Sequence, residues 1–380
     1  MGTERTDTTR IVSLDQFRGY TVLGMFFVNF VGGCVAIPAF FKHHNTYCSY
    51  ADTIMPQFFL AAGFAYRLTW LRRSEKEGVA AATLRTLRRN LGLILFGVVF
   101  YHLDGRAETW AKLQELGFWG VVRDGFQRSP FQTLVHIGVT GLWVLPVIGA
   151  APRWRVFWMA GSAALFVWLS YDFYYDWVMK RPGIDGGPLG FLTWTIPMLA
   201  GSLACDAMLN RPGGAGAGRL LVWGAVLMLL GYGLACVNLV TPPNALPEGA
   251  GVANVLVEPP FVPPADPTLQ PGQPPFNLWT MSQRAGSVSY LTFGAGFSLA
   301  LLALFRVACD GWGMRLYYLD LLGQNALAGY IIHELVEGAV KPYTPKDSPW
   351  WYVLLAFGVF LAIISLFLRH LEKHRLYLRL

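Results

Sequence analysis

The sequence predicts an all-α, polytopic integral membrane protein of about ten transmembrane helices with both termini cytoplasmic. Three observations carry this. Of 380 residues, 54% are hydrophobic and only 14% charged, with a mean hydropathy of +0.40, where soluble domains carry roughly a quarter charged residues. The apolar runs recur at the roughly 20-residue length that a bilayer span needs. The basic residues gather in short alternate segments, as the positive-inside rule requires of cytoplasmic loops. The formal charge of +7 is accounted for by that placement, and nucleic acid is excluded as a partner.

The predicted spans cover 11–33, 52–71, 90–104, 131–151, 154–175, 189–209, 219–241, 285–307, 316–338 and 350–368. A polar tail, 1–10, precedes them, and a basic tail, 369–380, follows. The whole of 11–368 reads as one transmembrane domain. No cleavable signal peptide is expected, because the first apolar run is too long and lacks a small-residue cleavage pattern. That run, SLDQFRGYTVLGMFFVNF, opens with Asp15 and Arg18 one helical turn apart, where they can pair and lock the helix end. The second span opens on Asp52, with Pro56 following in YADTIMP. Between spans two and three runs a basic helical stretch holding Arg72, Arg73, Arg88 and Arg89, placed to meet anionic headgroups or a phosphate-bearing ligand. Residues 105–130 include an amphipathic piece suited to the interface. SYDFYYDWVMK reads as an aromatic belt. NRPGGAGAGR is a short inner loop, and its glycines lack the strand–loop–helix setting and the Lys-Ser/Thr of a phosphate loop. Residues 242–278 hold eleven of the 23 prolines, which argues for an extended outer lid.

In so apolar a chain the polar groups at membrane depth carry the information. Asn29, His43, His44, Asp52, His102, Asp104, His136, His333 and Glu334 all fall towards the outer face, whereas His370 and His374 lie in the inner tail. Asn29, His43, His44 and Asp52 lie on one short loop and the helix ends flanking it, the arrangement of an acid/base site. His136, Asn325, His333 and Glu334 are secondary candidates for a polar cavity. Each also has a structural reading: a histidine among headgroups, or an Asn325 amide bonded to a neighbouring helix. Cys34 and Cys48 flank the histidine loop and are placed for a disulfide if the loop is extracytoplasmic; the other three cysteines read as packing residues. No CxxC, HExxH or HxH spacing marks a metal site, and no G-x-S-x-G elbow marks a serine nucleophile.

SLDQFRG, the VNF run with Asn29, the histidine loop, ADTIMP, FNLWTMSQRAGSVSYLTF and GQNALAGYIIHELVEG together resemble the heparan-α-glucosaminide N-acetyltransferase family and its bacterial relatives, in motif order and spacing over nearly the whole transmembrane chain. The resemblance implies an acetyl-CoA-dependent transmembrane acetyltransferase acting on an extracytoplasmic amino sugar or other glycan. It implies His43, with His44 as the adjacent alternative, as the active histidine, Asn29 as its partner and Asp52 as the carboxylate of the second helix. The chain departs from the family where Trp-x-Gly commonly follows the histidine and HHNTYCSYAD stands instead, in the loop that would border the acceptor. The absence of a recognisable targeting segment and the compact loops point to the bacterial inner membrane as the expected location. The partners expected are a glycan acceptor, membrane lipids and a second copy of the chain. The competing expectation is a transporter or flippase whose outer histidines bind solute, and a third is a structural subunit whose polar groups only fix helix register.

Overall fold

A computed structural model describes residues 11–44, 47–101, 109–128, 131–180, 185–209, 214–239, 256–262, 277–376 and 378. Among them every regular element is helical and none is a strand. The principal helices are α1 (Val12–Val31), α2 (Tyr50–Glu77), α3 (Val79–Phe100), α4 (Trp110–Arg128), α5 (Thr133–Ile148), α6 (Pro152–Leu169), α7 (Tyr175–Met179), α8 (Phe191–Leu209), α9 (Ala217–Cys236), α10 (Val288–Phe305), α11 (Tyr317–Gln324), α12 (Ala326–Val340) and α13 (Trp350–Lys373). Five continuous helical segments among the described residues are long and apolar enough to cross a membrane: Pro152–Met179, Gly187–Leu209, Ala217–Cys236, Val288–Gly311 and Trp350–Lys373. On that ground the chain is an integral membrane protein. In Gly187–Leu209 and Val288–Gly311, 78% and 72% of the most apolar window is buried, against 17–28% in the other three. The first two are therefore core helices, and the other three expose Trp, Leu and Phe as lipid-facing helices do.

Two expected boundaries differ. The basic stretch is helical almost throughout, broken only at Gly78: its first part extends α2 to Glu77, past the expected position 71, and α3 starts at Val79, eleven residues before the expected position 90. The expected single helix 316–338 is two helices, because Asn325 leaves the helical region (φ −110°, ψ 27°) between α11 and α12. The amphipathic piece is present as α4, kinked at Gly117. The 1–10 tail, His102, Asp104 and most of the 242–278 loop lie outside the described residues.

The chain divides into two compact units. The first comprises residues 1–37, 207–222 and 300–379 and is built on α1 against α11. An ideal Cβ on Gly19 would stand 1.9 Å from the Leu319 carbonyl oxygen, and one on Gly323 would stand 2.1 Å from that of Asp15. The two backbones thus touch through reciprocal glycines, the small-residue packing that lets membrane helices approach closely. α1 has no side-chain N-cap of its own. Asp310 supplies one, accepting from Ser13 N at 3.1 Å and Ser13 Oγ at 2.6 Å. A π-helical turn, Arg306–Gly311, carries Asp310, and Arg306 on the same turn pairs with it at 3.1 Å. Asp15 and Arg18 approach to 4.0 Å, the outer limit of the predicted pair.

The second unit comprises 38–206 and 223–299. Its α2 and α8 repeat the glycine device: a Cβ on Gly63 would stand 1.8 Å from Met198 O, and one on Gly201 2.0 Å from Leu60 O. Gly63→Ala should therefore force the pair apart and destabilise the protein by about 1–3 kcal/mol. Thermal unfolding in detergent reads this, and an unchanged midpoint would contradict the close approach. Buried ion pairing ties the same unit together. Asp206 on α8 accepts from Arg67 Nε of α2 at 2.8 Å and from Arg155 Nη2 of α6, while Arg67 Nη1 donates to Ile148 O at 2.6 Å and Arg155 Nη1 to Ser202 Oγ at 2.9 Å.

Candidate functional site

The site grows out of the start of α2. Ser49 caps that helix in a capping box with Asp52: Ser49 N donates to Asp52 Oδ2 at 3.0 Å, and Asp52 N returns to Ser49 Oγ at 3.3 Å. Ser49 Oγ also lies 2.9 Å from Asp52 Oδ2 and 2.7 Å from Lys42 O, tying the histidine loop to the cap. Pro56 stands four residues beyond Asp52 and has no N–H for the Asp52 carbonyl. Tyr290 of α10 fills that vacancy, its hydroxyl donating to Asp52 O at 2.6 Å. Gly294, one turn along α10, leaves room for the proline ring, since a Cβ there would stand 2.7 Å from Pro56 Cγ. Asp52 is thereby held rigidly and 1% exposed.

Its remaining oxygen faces His43. Nδ1 of His43 lies 2.9 Å from Asp52 Oδ1. A carboxylate only accepts, so Nδ1 carries the proton and Nε2 keeps the lone pair in the neutral ring. The sequence left His43 and His44 as alternatives, and the geometry separates them. His44 meets Asp52 only through its backbone N at 3.4 Å, while its ring reaches Ala39 O at 3.0 Å and leans on Tyr47. Segment 256–262 abuts this loop, with Phe261 N donating to Cys48 O at 2.8 Å.

Two further loops complete the arrangement: one falls within the FNLWTMSQRAGSVSYLTF motif, but neither Asp185 nor Gln283 was named as a site residue from the sequence. Gly186 and Gly286, both at positive φ, touch backbone to backbone, a Cβ on Gly286 standing 2.8 Å from Gly186 Cα. Gly186 N donates to Arg284 O at 3.1 Å across the same contact. The crossing places Asp185 beside Gln283, whose Nε2 donates to Asp185 Oδ1 at 2.9 Å. Asp185 is 2% exposed, and Trp194 Nε1 fixes its carbonyl at 2.8 Å. Burial pushes its carboxyl up to about 6, against the opposing pull of Gln283 and His43. For His43, surrounding protein lowers the imidazole pKa, but the hydrogen bond and charge of Asp52 outweigh this with help from Asp185 and Gln283. The net result is a raised value. The ring nonetheless keeps 48% of its side-chain surface open.

The other predicted residues fall as follows. His136 is fully buried in the second unit, in ring contact with Phe131 and Trp194, and neither ring nitrogen has a partner among the described residues. Arg72 and Arg88 are exposed, and Arg73 and Arg89 half-buried. Asn29, Asn325, His333 and Glu334 belong to the first unit. There the Asn29 carbonyl accepts from Lys341 Nζ at 3.3 Å, and His333 is buried against Phe26 with Nδ1 on Tyr330 O at 2.5 Å. Glu334 is exposed. Asn325 corrects the expectation of a bond to a neighbouring helix: its Nδ2 donates to Leu321 O at 2.9 Å, in the turn before it. Cys34 and Cys48 are both free and buried, so the disulfide that the sequence left possible is not formed. No group of three or more His, Cys, Asp or Glu among the described residues is arranged to hold a metal ion.

What the loops assemble is a carboxylate–imidazole dyad with a half-open ring, and a second buried carboxyl, Asp185, at the loop crossing. Such a dyad can take a proton from an attacking nucleophile and return it to a leaving group. No family model matches the chain, and no curated protein matches it.

Proposed function

We propose that the protein is a transmembrane acetyltransferase that moves an acetyl group from cytosolic acetyl-CoA to an extracytoplasmic amino sugar or other glycan. The observation that carries this reading is the Asp52–His43 dyad, oriented at Nδ1 and half open at the ring; the motif resemblance to the heparan-α-glucosaminide N-acetyltransferase family supports it. The reading takes α1, α2, α3, α5 and the α11–α12 pair as spans beside the five apolar segments, ten in all, with both termini cytoplasmic in a bacterial inner membrane. Asp52 and Arg72 are twenty residues apart on α2, about 30 Å along a helix, which is the hydrocarbon thickness. Arg72, Arg73, Arg88 and Arg89 would then meet the CoA phosphates at the face opposite the dyad.

In direct transfer, the acceptor N–H or O–H loses its proton to His43 Nε2 as nitrogen or oxygen bonds to the thioester carbonyl carbon. The C–S bond breaks, and Nε2 returns the proton to the departing sulfur. In transfer through the enzyme, Nε2 bonds to the acetyl carbon as the C–S bond breaks and the thiolate leaves; the acceptor then bonds to that carbon, the C–Nε2 bond breaks, and the acceptor's proton passes through the freed Nε2 to the thiolate. In both routes Asp52 holds the ring and stabilises its cationic form. Purified protein in detergent should show a saturable thermal shift with acetyl-CoA and slow CoA release, and His43→Ala should lose the CoA release. Absence of any shift at millimolar acetyl-CoA, with solute flux in proteoliposomes lacking it, would replace this reading with a transporter.

A further inference from the structure

The histidine loop is held by a short segment of chain that works against its own backbone preference. Residues 259–262 form a turn in which Val262 N donates to Pro259 O at 3.2 Å. Pro260 occupies the second position and Phe261 the third, with φ 71°. That is the pattern of a type II turn, whose third position calls for glycine or asparagine. A phenylalanine there is strained, and contacts outside the turn must hold it. Three rings do so: Phe40 of the histidine loop, with centroids 5.9 Å apart, and Phe293 and Phe297 of α10, at 5.7 and 5.3 Å. So placed, Phe261 N donates to Cys48 O at 2.8 Å, one residue before the Ser49 cap. Tyr232 of α9 ties the other end of the segment, its hydroxyl donating to Val257 O at 2.8 Å. The α10 residues involved recur at helical spacing with two already described, in the order Tyr290, Phe293, Gly294, Phe297. Tyr290 and Gly294 meet Asp52 O and the Pro56 ring, while Phe293 and Phe297 seat Phe261. One helix therefore grips the cap of α2 on both sides, downstream directly and upstream through Phe261.

We propose that Phe261 is a positioning residue for the dyad: by holding Cys48 it fixes the upstream side of the Ser49–Asp52 cap, and with it the His43 ring in register with Asp52. The inference rests on the reading of His43 and Asp52 as the acid/base pair. The contacts form an unbroken series. Phe261 N meets Cys48 O; Ser49, next along the chain, donates from its N to Asp52 Oδ2 at 3.0 Å; and Asp52 Oδ1 lies 2.9 Å from His43 Nδ1. Phe40 adds a second hold, since its ring also stacks on Tyr50 at 5.5 Å and 12°, across the neck of the loop. Glycine at 261 would suit the turn better and leave the loop unheld, which accounts for a large ring at a glycine position. The ionisable groups around His43 are Asp52 on α2, Asp185 on the loop before α8, and Lys42, His44, Tyr47 and Cys48 on its own loop. On segment 256–262 the one ionisable group is Glu258. Phe261 carries no charge, so it acts on the titration of His43 only by holding the loop.

The test labels the full-length protein in detergent with diethylpyrocarbonate, which acylates neutral imidazole, and follows each histidine by peptide mass spectrometry across pH. Phe261→Gly keeps the turn and its N–H but removes the ring. Asp52 raises the His43 pKa, so a loop that lets the pair separate should bring His43 labelling in at lower pH. The midpoint should fall by about half a unit or more in Phe261→Gly. Phe261→Leu refills part of the ring's volume and should give a smaller shift in the same direction. His370 and His374, exposed at the C-terminal end, should label as in wild type, and the buried His136 and His333 should stay unlabelled. An unchanged His43 profile in Phe261→Gly, or in Phe261→Leu should the glycine variant not fold, would overturn the proposal. So would a shift accompanied by labelling of His136 and His333, which reports general loosening. The labelling needs no acetyl-CoA, so the two readings fail separately. A wild type that releases no CoA, with the shift present in Phe261→Gly, removes only the acetyltransferase; normal CoA release with an unshifted profile removes only the role of Phe261.

Discussion

Asp52→Asn should lower acetyl transfer by about 10⁴-fold while leaving the protein folded. The reason lies in the cap. Asp52 Oδ2 accepts from Ser49 N at 3.0 Å, so an asparagine must keep its oxygen there to preserve the helix start. Its amide NH2 then faces His43 Nδ1. A donor opposite Nδ1 drives the ring proton to Nε2, and the base loses its lone pair at the nitrogen that meets the reactants. The same substitution removes the charge that raises the His43 pKa, so any residual activity should extend to lower pH. CoA release measured across pH, beside thermal melts, checks both points. Near-normal turnover in Asp52→Asn would show that His43 works without its dyad partner, and the catalytic assignment would fall.

Asp206→Ala should destabilise the protein by about 3–5 kcal/mol, the largest structural effect of a single substitution among those considered. Asp206 answers two guanidiniums at once: Arg67 is 8% exposed and Arg155 fully buried, and Arg155 Nε has no partner among the described residues. Removing the one carboxylate leaves two like charges facing each other in a site that water barely reaches. Replacing Arg155 together with Asp206 by apolar residues should recover part of the loss, because the isolated charge is what costs. Thermal unfolding or yield of monodisperse protein reads the series. A melt in Asp206→Ala equal to wild type would mean that the arginines find water, and the buried reading of this cluster would be wrong.

Composition and periodicity were sufficient for the helical, membrane-embedded character, because burial in lipid and the hydrogen-bonding needs of the backbone act through local sequence. They also pointed to the loop before α2, since polar groups beside an apolar run stand out one by one. Asp52 stood out as the carboxylate that opens the second span, with Pro56 just after it; that it closes a capping box with Ser49 came from the structure. Tertiary structure decided the rest. His43 and His44 are chemically identical in the sequence, and only the path of the loop selects which ring meets Asp52. The break at Asn325, within a run that reads as one helix, arises between α11, packed on α1 by backbone contact, and α12. Asp185 and Gln283 are 98 positions apart, nothing in either loop's sequence pairs them, and they meet where Gly186 and Gly286, without side chains, let the loops cross. Local signals report what each segment prefers in water or lipid. Which nitrogen meets which oxygen is set by contacts between distant segments, and no local pattern encodes those.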